Sequence, residues 1–214
     1  KSLAIKDVLS CRFGVGNALF RTGVTEPKAV DTVPFGLYKK SLFEEVGYYN
    51  EKLIRNHDME LSKRMLAAGK KIFLIPDAHY TYYARENYTA LLRNNFRNGL
   101  WNLLTVRITG KLSSLSLRHF IPLLFILGIV LPAIIGIFFH PLLYFSLFVI
   151  VLYLGFVTSV SIDLHNKNGT SIPHLIIAFA VLHFSYGCGE IVGLCKKTNN
   201  NSTDAKAEKL YKEK

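Results

Sequence analysis

One acidic residue stands where it could act as a base. Asp58 lies in the stretch Asn56–Leu61, and the apolar residues that follow recur at helical spacing as far as Ala68. The pattern predicts a helix that Asn56 caps and Gly69 ends, with Asp58 in the first turn, where free backbone N–H groups and the helix dipole stabilise negative charge. A carboxylate held there can accept the proton of an incoming hydroxyl group. Capping of its own helix is the commoner role of a lone aspartate at this position. The neighbouring residues therefore decide between capping and catalysis for Asp58.

The residues around Asp58 resemble those of a known enzyme family. The segments Val30–Leu53 and Asn56–Leu61, together with Arg64, resemble the acceptor-side half of family 2 glycosyltransferases. The likeness is closest to membrane-bound members that build bacterial exopolysaccharides, including the succinoglycan type, and it runs from about Cys11 to Arg118. It implies an α/β fold, in which residues 1–90 form the C-terminal half of a GT-A nucleotide-diphospho-sugar transferase domain.

The resemblance also assigns roles near Asp58. Asp58 itself would be the catalytic base, and His57 beside it would contact the donor or the acceptor. Phe35 and Gly36 would lie on the floor of the site near the donor sugar. From the residues alone, a packed aromatic side chain beside a glycine turn explains Phe35 and Gly36 equally well.

A second motif lies further along the chain. The run from Asn94 to Trp101 resembles the Gln-x-x-Arg-aromatic signature of these enzymes, in which the arginine contacts the donor diphosphate and the aromatic residue meets the acceptor. Asn94 takes the place of the glutamine, Arg97 is the arginine, and Asn98 replaces the aromatic residue, so Trp101 would supply the ring one turn later. Lipid contacts explain Arg97 and Trp101 equally well from the residues alone.

The reaction implied by the resemblance is an inverting transfer of a sugar. The donor would be a nucleotide sugar, and the acceptor a lipid-linked or polysaccharide glycan. Mg²⁺ or Mn²⁺ would be bound mainly by an Asp-x-Asp motif expected before Lys1, and no metal-binding residue is assigned within the chain. Since the chain opens on Lys1 without a signal pattern, we expect it to be part of a longer product and inactive alone. A non-catalytic membrane scaffold of an envelope complex is the alternative, which composition alone favours.

The composition indicates a membrane protein. Half of the 214 residues are hydrophobic, and the apolar excess lies after Phe120. Three runs are long enough to cross a bilayer as helices, within a predicted transmembrane region over residues 120–195. They are Phe120–Phe139, Pro141–Ile162 and Ile172–Leu194. Cys11, Cys188 and Cys195 form no CxxC pair, which indicates a reduced compartment and no metal site.

Residues 91–119 read as an amphipathic helix with a basic collar. Within Leu91–Ile108 an apolar stripe recurs, which is typical of a helix lying on a membrane surface. The stripe consists of Leu92, Phe96, Leu100, Leu103 and Leu104. From Arg93 to Arg118 there are five basic and no acidic residues, which favours anionic lipid partners. Nucleic acid is the weaker interpretation, since no zinc spacing or aromatic RNA-binding pattern appears.

Charge predicts the orientation in the membrane. The basic residues up to Arg118 place the start of the first span on the cytoplasmic side of a bacterial inner membrane, with the catalytic part cytoplasmic. Three crossings would then put the Lys-rich tail, residues 196–214 and predicted to be disordered, outside, against the positive-inside rule. The third run is therefore the candidate for a re-entrant or interfacial helix. In it, Glu190 is expected to be interfacial, with pairing to His183 as the alternative.

Four further elements complete the prediction for residues 1–90. Strand-forming residues begin at Ala29, and a helix is expected over Lys40–Val46, ended by Gly47. Lys71–Ile75 is predicted to be a strand that Pro76 stops. The tyrosine-rich run Ala78–Ala84 is predicted to be another, with tyrosines that either stack on sugars or fill the core.

Overall fold

The computed structural model describes residues 1–16 and 18–196, and most of this part is helical. The α-helices are α1 (Ser2–Leu9), α2 (Arg12–Val15), α3 (Leu19–Thr22), α4 (Lys40–Val46), α5 (His57–Ala67), α6 (Tyr88–Thr109), α7 (Ile121–Ile135), α8 (Pro141–Asn168) and α9 (Ile172–Cys195). Two short 3₁₀ helices, Leu112–Ser114 and Leu117–Phe120, precede α7, and the strands are β1 (Lys28–Val30) and β2 (Ile72–Leu74). From residue 197 on, the predicted tail lies outside the described residues.

The helix that carries Asp58 forms where the sequence predicts it. Gly69 follows α5 with a φ of 74°, a left-handed conformation that glycine adopts without steric cost. The Lys70 N–H then donates to the Met65 carbonyl at 3.0 Å and closes the helix end. The predicted side-chain cap is wrong: Asn56 precedes α5 with a φ of 63°, and its amide bonds to α6 instead.

The sheet is smaller than the α/β prediction for residues 1–90 implies. β1 and β2 pair antiparallel over three residues each, with Ala29 opposite Phe73. The strand predicted over Ala78–Ala84 does not form; no other strand lies beside it among the described residues, and two of its tyrosines line a cavity instead. The helical membrane region is the part of the fold prediction that the structure confirms.

A small hydrophobic core joins α5 to the sheet. Leu61, Met65 and Ile72 are buried together in it. Arg64 adds a polar tie, since its guanidinium pairs with Glu60 at 2.8 Å and also donates to backbone carbonyls at the carboxyl end of α4. These contacts hold α5 against the sheet and against the end of α4.

Helices α6 and α9 pack so closely that glycine is required at the contact. A Cβ atom at Gly99 would lie 2.0 Å from the Tyr186 carbonyl oxygen, and one at Gly189 would lie 2.1 Å from the Phe96 carbonyl oxygen. Gly193, one turn after Gly189, meets α6 in the same way. Small residues four apart are a common way for helices in membranes to bring their backbones together. We call this contact the glycine seam.

The seam takes up part of the apolar stripe predicted for α6. Of that stripe, Leu103 and Leu104 are buried in protein and Leu92 is 46% exposed, while Phe96 and Leu100 are half-buried. Leu91, which was not assigned to the stripe, is fully buried. One side of α6 is therefore held by protein, and its placement on a membrane surface stays a prediction.

Three helical segments are long and apolar enough to cross a membrane, as predicted. They are Leu117–Ile135, α8 and α9. The first two form an antiparallel hairpin, in which the Ser146 hydroxyl donates to the Ile129 carbonyl at 2.9 Å. Only 11% and 17% of their apolar windows are buried, against 44% for α9. Most of the surface of the hairpin is therefore free to face lipid, whereas nearly half of the α9 window is packed against protein.

The polar residues of α9 have other partners than the sequence suggests. Glu190 is fully buried rather than interfacial, because α6 covers it, and its Oε1 accepts from Asn102 at 3.2 Å. His183 does not pair with Glu190. Its ring nitrogens lie 3.0 Å from the Tyr153 hydroxyl and 3.2 Å from the Phe13 carbonyl oxygen.

Helix α1 packs against both α8 and α9. Ala4, Ile5 and Val8 share a buried core with Val157 and Phe179. In the loop between α8 and α9, the Thr170 hydroxyl donates to the Asp7 carboxylate. This loop therefore lies beside the start of the chain.

An ionic contact joins the end of β1 to the segment before α7. The Asp31 carboxylate accepts from the Ser116 hydroxyl at 2.6 Å and pairs with Arg118 at 2.9 Å and Lys63 at 3.9 Å. Burial by itself raises the pKa of Asp31, but the hydrogen bonds from Ser116 and Arg118 and the two positive charges outweigh burial and lower this pKa below its ordinary value. We call this contact the Asp31 latch.

The glycine seam makes a prediction about stability. Gly189→Ala should destabilise the protein by about 1–3 kcal/mol or more, because the added methyl group meets backbone that has no room to move. Gly155→Ala in α8 is the matched control, since nothing lies within 4 Å of the site and alanine favours helix by about 1 kcal/mol. Melting of the detergent-solubilised variants checks this, and equal melting temperatures would contradict the seam.

The Asp31 latch makes a prediction about pH. Because the pKa of Asp31 is lower in the folded state, its stabilisation is present above the unfolded value of 3.8 and is lost as pH falls through the folded value. Asp31→Asn should therefore cost about 1 kcal/mol at pH 7 and nothing once Asp31 is protonated. Denaturant titrations from pH 7 to pH 3 measure the difference. Asp163→Asn, which removes an exposed pair with Lys167, should change stability little at any pH.

Candidate functional site

Asp58 occupies the first turn of α5, and its side chain is half-exposed. Its Oδ1 accepts a hydrogen bond from the Met59 N–H at 2.9 Å. This contact is local, and it leaves Oδ2 as a second acceptor on the same carboxylate. The position combines a favourable end of a helix with access to solvent, so both capping and proton transfer are open to it.

Two tyrosines lie near the start of α5. Burial raises the pKa of Tyr38, and the charges of nearby Tyr49 and Asp58 raise it further. Tyr49 also meets His57, with ring centroids 5.5 Å apart and ring planes at 77°. Tyr38 therefore lies within electrostatic range of Asp58, and Tyr49 contacts the residue before it.

A large cavity has Tyr38 in its lining. It has a volume of about 970 Å³ and is lined by Phe35, Gly36 and Tyr38, but not by Asp58. A Cβ atom at Gly36 would lie 2.4 Å from the Tyr38 hydroxyl oxygen, so glycine is needed for Tyr38 to lie where it does. Phe35, Gly36 and Tyr38 thus line one cavity, and Tyr38 also lies within electrostatic range of Asp58.

Phe35 is held in an unusual state. Its φ is 54°, in the left-handed region that a bulky residue rarely adopts, and its side chain is 90% exposed. Its ring meets Tyr80 edge-on at 5.7 Å. A phenyl ring presented to solvent at the mouth of a cavity is available to pack on the apolar face of a ligand.

A smaller cavity of about 310 Å³ lies beside α1. Its charged lining is basic, with Lys6 and Arg21, and Tyr80 and Tyr82 supply aromatic rings. The Arg21 guanidinium lies 4.4 Å from the centre of the Tyr82 ring. Two of the tyrosines considered for sugar stacking therefore line a cavity, whereas Tyr83 is 84% exposed and lines neither.

The structure joins the Asp58 turn to the second predicted motif. Arg55, three residues before Asp58, donates to Asn98 at 2.5 Å and to Asn94 at 3.4 Å. Two segments about 40 residues apart in sequence are thereby in direct contact. The Asn94 position, predicted to bind a ligand, lies beside the Asp58 turn.

Arg97 and Trp101 are placed differently from Asn94. Arg97 is half-exposed and makes no hydrogen bond or ion pair within residues 1–16 and 18–196. Trp101 is only 7% exposed, so little of its ring is open to a ligand. Arg97 remains available to an anionic partner, whereas Trp101 contributes mainly to the packing of α6.

Sequence reasoning missed Tyr38, Arg55 and Asn102 as parts of this region. A signal for Asn102 was present, because α6 carries asparagines at 94, 95, 98 and 102, at the three- and four-residue spacing of one helix face. Such a polar row on a helix with apolar neighbours indicates that other polar groups meet it. Nothing in the local sequence pointed to Tyr38 or Arg55, whose roles depend on tertiary contacts.

Within the described ranges, no three His, Cys, Asp or Glu residues come together in a way that could hold a metal ion. The Mg²⁺ or Mn²⁺ implied by the resemblance therefore has no fitting set of ligands among these residues. The chemistry of Asp58 has to be considered without assigning the metal to any of them.

Comparison with known proteins leaves the family open. No family model, no curated protein and no solved structure matches this chain. What supports a function is therefore the resemblance in sequence and the contacts around Asp58.

Proposed function

We propose that the chain is the acceptor-side and membrane part of an inverting family 2 glycosyltransferase. It would transfer a sugar from a nucleotide-sugar donor to a lipid-linked or polysaccharide acceptor, in bacterial exopolysaccharide or cell-envelope glycan synthesis. The observation that carries the proposal is the contact of Arg55 with Asn94 and Asn98, which joins the Asp58 turn to the second motif. The resemblance requires these two motifs to share one site.

In the proposed reaction Asp58 acts as the base. Its carboxylate accepts the proton of the acceptor hydroxyl as that oxygen forms a bond to the anomeric carbon. The bond from the anomeric carbon to the diphosphate breaks on the opposite face, so the configuration is inverted and the nucleotide leaves with the electron pair. Help from a general base of this kind contributes roughly 10²–10⁴ in rate.

Other residues would bind the two substrates. Phe35 and Gly36 would contact the sugar from the larger cavity, and Arg97 would meet negative charge on the donor. His57 would contact the acceptor or donor beside the base. A Mg²⁺ or Mn²⁺ ion would neutralise the leaving diphosphate, and its ligands are not among the described residues.

We further propose that both ends of α9 lie on the cytoplasmic side, with α7 and α8 as the two crossings. At its start, the His174 carbonyl accepts from the Tyr88 hydroxyl at 3.1 Å, and the preceding loop contacts Asp7. At its end, Arg107 of the basic collar donates to the carbonyls of Leu194 and Lys196. This arrangement supports placing the Lys-rich tail in the cytoplasm, in agreement with the positive-inside rule.

A non-catalytic membrane scaffold is the second candidate. It is favoured by one observation, that among the described residues Asp58 is not part of the lining of the larger cavity or of the smaller one. In that case Asp58 serves as a cap for α5, and the tightly packed helices form the scaffold. The variant Asp58→Asn separates the two functions.

Asp58→Asn in the full-length protein should lower sugar transfer by about 100-fold or more, because the amide cannot accept the proton. Membranes from expressing cells are supplied with a panel of labelled nucleotide sugars, and label in lipid and polysaccharide is counted. Asp77→Asn is the control, since Asp77 is an exposed acid in a loop. Transfer by Asp58→Asn within tenfold of the wild type would reject the base assignment and favour the scaffold.

The orientation of α9 can be tested by labelling single cysteines. In a protein whose three native cysteines are replaced by serine, Asn168→Cys and Lys196→Cys should react with a membrane-impermeant maleimide only from the cytoplasmic side. Phe139→Cys, in the exposed α7–α8 connection, should react from the opposite side and is the control. Labelling of Lys196→Cys from the same side as Phe139→Cys would show that α9 crosses the membrane.

A further inference from the structure

We propose that Asn102 and Glu190 are positioning residues that hold the turn carrying Asp58, so that the packing of α9 sets the place of the base. The inference rests on the proposed function for its effect on activity. Its geometric part, the anchoring of Asn56 by α6 and α9, stands independently of any reaction. The contacts run from α9 through α6 to the residue before α5.

The turn is set by the backbone of one residue. Asn56 adopts a φ of 63°, in the left-handed region that asparagine tolerates better than other non-glycine residues. Its carbonyl already accepts from the Glu60 N–H at 2.9 Å, as the first bond of α5. The conformation of this one residue therefore sets where His57 and Asp58 begin.

The anchor is the side chain of Asn56. Its Nδ2 donates to Asn102 Oδ1 at 3.0 Å and to Thr105 Oγ1 at 3.3 Å. Both acceptors belong to side chains that are at most 1% exposed, so water does not compete for these bonds. The Thr105 hydroxyl is itself fixed, since it donates to the Trp101 carbonyl at 2.6 Å.

Asn102 can serve as this acceptor only in one orientation. Its Nδ2 faces three acceptors, the Tyr186 hydroxyl at 2.8 Å, Glu190 Oε1 at 3.2 Å and the His119 carbonyl at 3.2 Å. If the amide were turned over, its oxygen would face a carboxyl and a carbonyl oxygen, and its NH₂ would face the NH₂ of Asn56. The groups of α9 thus direct Oδ1 toward the turn.

Glu190 is the α9 residue at the end of the contacts that run from Asn56 through Asn102. It is fully buried in the glycine seam, and among residues 1–16 and 18–196 Asn102 is the side chain that donates to its carboxyl, at 3.2 Å from Oε1. Burial of a carboxyl group between two helices costs free energy that a hydrophobic residue would not incur. A role in orienting Asn102 explains why a carboxyl lies there.

A double-mutant cycle separates positioning from a general loss of stability. Asn56→Gly keeps the left-handed backbone at no steric cost but removes the amide that Asn102 holds. In the wild type, Asn102→Leu should lower kcat for sugar transfer about tenfold and change the donor KM less than twofold. In the Asn56→Gly background the same change should lower kcat less than twofold. An equal loss in both backgrounds would overturn the proposal.

Three controls accompany the cycle. Asn95→Leu removes another buried asparagine of α6, one that bonds to the Leu91 carbonyl of its own helix, and it should leave kcat unchanged. Glu190→Gln keeps an oxygen for Asn102 and should retain most of the activity, whereas Glu190→Leu should behave as Asn102→Leu does. Asn102→Ser, too short to reach Asn56, replaces the leucine variant if that variant does not fold.

Hydrogen exchange provides a readout that needs no reaction. Backbone amides in the segment 54–60 should exchange faster in Asn102→Leu than in Asn95→Leu, and should gain no further rate when Asn56→Gly is added. Unchanged exchange there would overturn the proposal even if transfer falls. Activity that survives Asp58→Asn, with the exchange result as expected, would remove the proposed function and leave the anchoring in place.

Discussion

Close backbone contact between α6 and α9 is the constraint on which the arrangement depends. Side chains larger than hydrogen are excluded where Gly99, Gly189 and Gly193 meet the partner helix, and dispersion contacts between the two backbones replace them. Because α6 carries Asn94, Asn98 and Asn102, its position decides where the Asp58 turn can dock. The packing of the apolar helices therefore also determines the position of the polar turn.

Much of the fold follows from local pattern, and this explains which predictions hold. α4 and α5 form as expected because their helical periodicity, and the glycines that end them, lie within a few residues. The apolar helices follow from length and hydropathy alone. The failures concern partners distant in sequence. Residues 78–84 carry strand-forming tyrosines but have no strand beside them, and Glu190 looks interfacial until α6 is placed over it.

The candidate site divides in the same way. The position of Asp58 in the first turn of α5 was evident from sequence, whereas the contact of Arg55 with Asn94 joins segments far apart in sequence. Tyr38 was missed, although it lines the larger cavity and lies close enough to Asp58 for the two to interact electrostatically. Its closeness to both depends on tertiary contacts that no local sequence pattern encodes.

The Asp31 latch and the glycine seam respond differently to solution conditions. A pair of partly exposed charges weakens as ions accumulate around it, with a screening length of about 8 Å at physiological ionic strength and about 3 Å at 1 M. Close packing of helix backbones involves no net charges, so such screening affects it little. Concentrated electrolyte should therefore loosen the attachment of β1 to the segment before α7 while α6 and α9 stay packed.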